Sequence, residues 1–177
     1  MYYNVDIYYR GINHLSDGRF AAGIWAKWAG FCFDSSSDRY VTPTDAAEII
    51  QWMQGPELVA EFGTDADLEI IKDVTSTLGI KSISIPNEIY SSEMDDLFDS
   101  VIFLDSLPSN SISNKHLLLE KEPGDNGIWQ IPDFSEKTVE SIKAGTVNSI
   151  CLTGSNEDKP GTADYESISV FMEQLED

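Results

Sequence analysis

The feature that most limits what this chain can fold into is its alternation. Short apolar runs rich in β-branched and aromatic residues recur along it, most of them followed by a stretch with helical spacing. Residues 5–9, 29–33, 58–63, 80–85, 100–104, 115–120, 128–131 and 147–153 read as strands. Leu15, Phe20, Ala21, Ile24 and Trp25 trace one helical face, and Ala46, Ala47, Ile49, Ile50 and Met53 another. Thr42 before Pro43 supplies an N-cap oxygen followed by a proline where its missing N–H costs nothing. A third helix is predicted over 64–78, with Asp65 and Asp67 in its first turn and Gly79 closing it. A short helix capped by Ser91 or Ser92 runs to Phe98, a longer one spans 135–144 with Ser135 as N-cap and Gly145 as stop, and a last one spans 165–175.

Strand–helix alternation is the mark of a parallel sheet, and these strands in this order predict an α/β protein, a closed (β/α)8 TIM barrel of one domain. The chain has 177 residues, whereas such barrels start at roughly 200, so it must have shed helices or loops. The losses fall where the period disappears. Residues 105–114 are polar and rich in Ser and Asn; residues 121–127 hold Pro123–Gly124 and Asn126–Gly127. The barrel is therefore expected to be shortened, with its fifth and sixth helices missing or vestigial. The second connection suits a hairpin as well as a parallel crossover.

The formal charge of −20 repels nucleic acid and anionic membranes, and disfavours polyanions unless a cationic pocket compensates. No nucleic-acid or membrane partner is expected, and no cofactor. Cys32 and Cys151 lie in apolar strand-like runs and read as buried thiols. The N-terminus lacks the basic and apolar regions of a signal peptide, and no apolar run reaches transmembrane length. The expectation is a cytoplasmic protein.

The stretch 30–47 is the most informative. It joins a strand ending Gly30–Phe31–Cys32–Phe33, a polar loop, then Ser37–Asp38–Arg39–Tyr40–Val41 and the Thr42–Pro43 helix start. It resembles the second strand, loop and helix of phosphoribosylanthranilate isomerases, which read Gly-Phe-x-Phe, Ser-x-Arg-Tyr-Val, then a proline and a helix. The 154–161 segment, followed by Asp164–Tyr165, is similar to the family's last loop. The resemblance implies a (β/α)8 barrel and an Amadori rearrangement in tryptophan biosynthesis, an intramolecular aldose–ketose isomerisation. It also implies that Arg39 holds the carboxylate of an aromatic ligand. That chemistry needs a base and an acid on opposite sides of the sugar and an anchor for the phosphate.

Carried over residue by residue, the resemblance is uneven. Arg10 stands where the family's Lys-x-Cys-Gly-Ile-Thr motif places its base cysteine, and an arginine stays protonated. Glu120 falls where the family places its acid, one methylene longer. Gln-Leu-His-Gly is replaced by Ser84–Ile85–Pro86–Asn87, and the phosphate-binding Gly-Gly by Pro132–Asp133. Proline has no N–H to donate, and Asp133 places a negative charge where a dianion would sit. Gly154 and Ser155 offer backbone donors to a small anion. Asp34, Asp38 and Asp133 are oxygen donors that would suit a hard cation if they met, although no spacing supports a metal site. His14 and His116 read as structural, and the four tryptophans as core and inter-helix packing.

Three readings follow. The first is a divergent barrel that has lost the standard base and phosphate site and binds or acts on a small carboxylate, anchored by Arg10 and Arg39. The second is an active isomerase using Glu120, with Asp6 as a further group. The third is a non-catalytic interaction protein, whose helix-poor flank pairs with a second copy in a homodimer.

Overall fold

The computed structural model describes residues 4–112, 114–124, 127–154 and 165–176. The strands are β1 (Asp6–Arg10), β2 (Trp28–Cys32), β3 (Glu57–Glu61), β4 (Ser82–Ile85), β5 (Ser100–Phe103), β6 (His116–Glu120), β7 (Ile128–Gln130) and β8 (Ser149–Thr153). The helices are α1 (Leu15–Gly23), α2 (Pro43–Ile50), α3 (Leu68–Leu78), α4 (Met94–Leu97), α5 (Glu136–Lys143) and α6 (Glu166–Gln174). Each strand pairs with the next, and β8 closes on β1 from Asp6↔Ser149 to Arg10↔Thr153. The result is the shortened parallel barrel that the alternation predicts.

Strand alternation sorts the side chains. Tyr8, Trp28, Val59, Ile102, Leu119, Ile128 and Cys151 fill the barrel interior. The intervening residues face outward: Phe31 and Ile150 pack with Ala46, Ile49, Val139 and Phe171, and Ile83 and Phe103 with Ile71, Met94 and Phe98. Between α1 and α2 the approach is close enough that a Cβ on Gly18 would lie 2.8 Å from Ile49 and Met53 atoms, so glycine is needed there.

The described residues of 104–115 and 121–127 carry no helix. The β6–β7 pair is parallel, with Leu119↔Ile128 and Glu120↔Trp129 in register, so it is not a hairpin. The connection is short, and Gly127, just before β7, lies against the N-terminal end of the barrel beside Asp6, Ser100 and Ser149. The flank is not a bare sheet face. Trp129 is 4% exposed and its indole N–H donates to the Lys121 carbonyl at 3.2 Å. His116 lies edge-on to Tyr90 and Phe103. Leu107 and Ile112 are the large apolar side chains left exposed in these connections, at 42% and 40%.

Several local expectations shift. The third helix starts at Leu68, because the Asp67 carboxylate accepts from Ile70 N at 2.9 Å and acts as the cap, not as a first-turn acid. The helix before Phe98 is only Met94–Leu97, after a 3₁₀ turn at Asn87–Ile89. Trp28 and Trp129 are core, but Trp25 leaves α1 with φ +58° and is 65% exposed, and Trp52 is 66% exposed. Among the described residues no helix is long and apolar enough to cross a membrane.

Candidate functional site

The inward residues at the C-terminal ends of β1 and β3 meet across β2. Arg10 shares the interior face with Tyr8, and Glu61 with Val59. Between them stands Gly30, where any Cβ would collide with Glu61 Oε1, so the glycine clears the path. Arg10 Nε donates to Glu61 Oε1 at 3.2 Å and Nη2 to Oε2 at 3.5 Å; the Tyr8 hydroxyl donates to Oε1 at 2.7 Å. The Glu61 side chain is 5% exposed and that of Arg10 21%. Burial, then the charge of Glu61, push the Tyr8 phenol well above its ordinary range. Glu61 holds Arg10 charged against the opposing effect of burial. Burial pushes the nearby Cys151 thiol up to about 12. Ser84, in register beside Glu61 and fully buried, has a hydroxyl with no hydrogen-bond partner among the described residues.

Arg39 belongs to a second buried cluster. Its Nε donates to the Gly11 carbonyl at 2.9 Å and its Nη2 to Asp17 Oδ2 at 3.1 Å. Asp17 on α1 is 0% exposed, and its Oδ1 accepts from the Tyr9 hydroxyl at 3.2 Å and the Tyr165 hydroxyl at 2.9 Å. Burial raises the Asp17 carboxyl above its ordinary range, although the Tyr165 bond and the Arg39 charge pull the other way. The charge of Arg39 is thus answered inside the protein. Gly154 lies against Arg39 Nη2, where a side chain would collide, and its N–H is committed to the Arg10 carbonyl at 3.0 Å. The anion-donor expectation for Gly154 fails for that reason. Ser155 lies outside the described residues.

The remaining candidates do not converge on these clusters. Leu117 and Leu119 line the interior and Leu118 packs outside, so alternation turns Glu120 outward; its carboxyl folds over Gly124 and Gly127. Asp133 accepts from Ser135 N at 3.0 Å and Thr138 Oγ1 at 2.9 Å. The Ser135 hydroxyl caps no N–H of α5; Asp133 instead ties the N-cap residue to the Thr138 side chain, and those hydrogen bonds hold its carboxyl below the usual range. Asp34 instead bonds Ser36 N at 2.9 Å. Among the described residues no group of three or more His, Cys, Asp or Glu side chains is placed to hold a metal. Asp6 is at the opposite end of β1. Cys32 ends β2 near the mouth, and burial raises its thiol. His14 lies beside the start of α1. His116 Nδ1 accepts from Ile112 N at 3.1 Å, which leaves Nε2–H to donate to Asp95 at 2.7 Å; this is a structural histidine.

Sequence reasoning missed Tyr8, Asp17 and Glu61. Two of them left a trace: Glu61 is a carboxylate inside the apolar run 58–63, and Asp17 stands four residues before the buried Ala21 of one helix face.

No family model and no curated protein matches the sequence. Solved structures do. A phosphoribosyl anthranilate isomerase solved with reduced 1-(o-carboxyphenylamino)-1-deoxyribulose 5-phosphate superposes with a TM-score of 0.74 at 20% identity, over 97% of this chain and 98% of that one. The chain shares its fold with phosphoribosylanthranilate isomerases. The Thermus thermophilus isomerase gives 0.71 at 17% identity with the same coverage. The Thermotoga maritima isomerase gives 0.69 at 22%, again over 97% and 98%, and that protein is described as dimeric. The likeness spans 97% of the chain, which agrees with the resemblance read from 30–47; the last-loop segment 155–164 lies outside the described residues. Identity this low carries the fold and leaves the chemistry to the residues.

Proposed function

We propose that this protein is a divergent relative of the phosphoribosylanthranilate isomerases that has given up the isomerisation. In this reading it binds a small carboxylate at the C-terminal mouth of the barrel. The observation that carries it is the Arg10–Glu61–Tyr8 cluster. The position that resembles the family's base holds a guanidinium that stays protonated and is locked to a buried carboxylate, so it cannot take a proton from a sugar carbon. Two further observations support the loss. Asp133 spends its own carboxylate on the first turn of α5, and a phosphate dianion there would meet it. Glu120 faces away from the interior, which removes support from an isomerase built on it.

Arg10 is the better anchor of the two arginines. Glu61 takes its Nε and Nη2, and the side chain keeps 21% exposure. A guanidinium has five donors, so it can receive a second carboxylate edge. Arg39 is held by Asp17 and Gly11 and serves to fix the β1–α1 turn against the loop after β2. One negative charge on a ligand is tolerated better than two beside Glu61 and on a surface this acidic.

Titration with anthranilate, followed by its own fluorescence, tests the reading. Binding to the native protein should weaken about ten-fold or more in Arg10→Gln, the scale of one charge-assisted hydrogen bond. Equal affinity in the variant, or no binding of any small aromatic carboxylate to the native protein, would overturn it. The second outcome would leave the interaction-protein reading in its place.

A further inference from the structure

The opposite end of the barrel holds a polar cavity. It measures about 330 Å³ and is lined by inward residues at the starts of strands: Asp6, Trp28, Glu57, Ser100 and Ser149, with Leu117 as its apolar wall. It already contains a cation of the protein's own. Lys27 Nζ lies 4.4 Å from the Trp28 ring centroid and 2.5 Å from Asp6 Oδ2. Glu57 is held from below by the Ser82 hydroxyl. Ser149 is nine-tenths buried, lines the cavity, and its hydroxyl makes no hydrogen bond among the described residues.

We propose that this N-terminal mouth binds a small organic cation, a primary ammonium on a short apolar stem. The chemistry is complementary throughout. An indole face attracts an ammonium most strongly among the aromatic rings. Glu57 and the Ser149 hydroxyl accept its N–H groups, and Leu117 takes the stem. Asp6 and Glu57 against Lys27 leave the cavity one negative charge in excess, within a chain of net charge −20. A cation is therefore drawn in and an anion repelled. The size falls in the range of small-molecule sites. The Lys27 side chain is 48% exposed and its partner Asp6 46%, so it swings out at little cost. It acts as a tethered competitor for the same ring.

The competitor makes the site testable. The probe is n-butylammonium chloride, titrated against the full chain by isothermal calorimetry at constant total salt. Lys27→Met should bind it at least five-fold more tightly than the native protein, and Glu57→Gln at least ten-fold more weakly. Arg10→Gln, at the other mouth, should bind it as the native protein does, which separates this site from the carboxylate reading. Unfolding curves confirm that each variant is folded. Affinity unchanged by both Lys27→Met and Glu57→Gln, or no heat in the native protein and in Lys27→Met alike, would overturn the proposal.

Discussion

Glu61→Gln removes a charge but almost no volume, and so isolates the electrostatics of the mouth. The carboxylate accepts from Tyr8 at 2.7 Å and from Arg10 at 3.2 and 3.5 Å. Removing one partner of a fully buried ion pair costs about 3–5 kcal/mol, because the other charge is left uncompensated. Arg10 keeps 21% exposure, and the glutamine carbonyl still accepts one bond. The expected loss is therefore about 2–3 kcal/mol, a large share of a typical 5–15 kcal/mol stability. Arg10→Met alone should cost about 2 kcal/mol, since the Tyr8 hydroxyl still donates to the carboxylate left behind. Arg10→Met with Glu61→Gln should cost no more than either single change, because no charge is left stranded and the glutamine carbonyl still accepts from Tyr8. Urea unfolding followed by the emission of the buried Trp28 and Trp129 measures all four corners of this cycle. Single losses below about 0.5 kcal/mol, or costs that simply add in the double variant, would refute the claim that this is one coupled buried unit.

Other consequences follow from the same contacts. Asp17→Ala takes the buried carboxylate away from Arg39 and from the Tyr9 and Tyr165 hydroxyls and should cost about 3 kcal/mol in the same unfolding assay; a loss under about 1 kcal/mol would show that this carboxylate does not hold the cluster together. Burial raises the Asp95 carboxyl, but hydrogen bonds from His116 and Tyr90 outweigh it and hold the group below its usual range. Its contribution is therefore present above pH ~4 and lost as the pH falls through the depressed folded value. Asp95→Asn should thus lose less stability than the native protein on going from pH 6 to pH 3. Among its described residues the helix-poor flank exposes only Leu107 and Ile112 as large apolar side chains, so sedimentation should show a monomer; a dimer broken by Ile112→Glu would show instead that the flank pairs two copies.

The barrel was legible because its signals are local. Thr42–Pro43 caps α2 with an Asp45 N to Thr42 Oγ1 bond of 3.1 Å, and Gly79 ends α3 at φ +68°. The missing helices were legible as a missing period. The direction of the β6–β7 pair was not, since it depends on where β7 begins beside its neighbour. The site was harder still. Arg10 and Glu61 are 51 residues apart, and only the register of β1, β2 and β3 brings them together across Gly30. Glu120 follows three leucines, which hide the alternation that sends it outward. Arg39 was read as a loop cation awaiting a ligand because its partner Asp17 lies in a helix whose buried face looked purely apolar.

The most direct measurement is turnover of freshly generated phosphoribosylanthranilate at high protein concentration, followed as loss of its fluorescence. On the proposed reading, in which Arg10 stands in for the base and Asp133 for the phosphate anchor, the signal should decay at the rate of the buffer control. Turnover above that control would contradict the account, and would mean that this mouth still moves a proton.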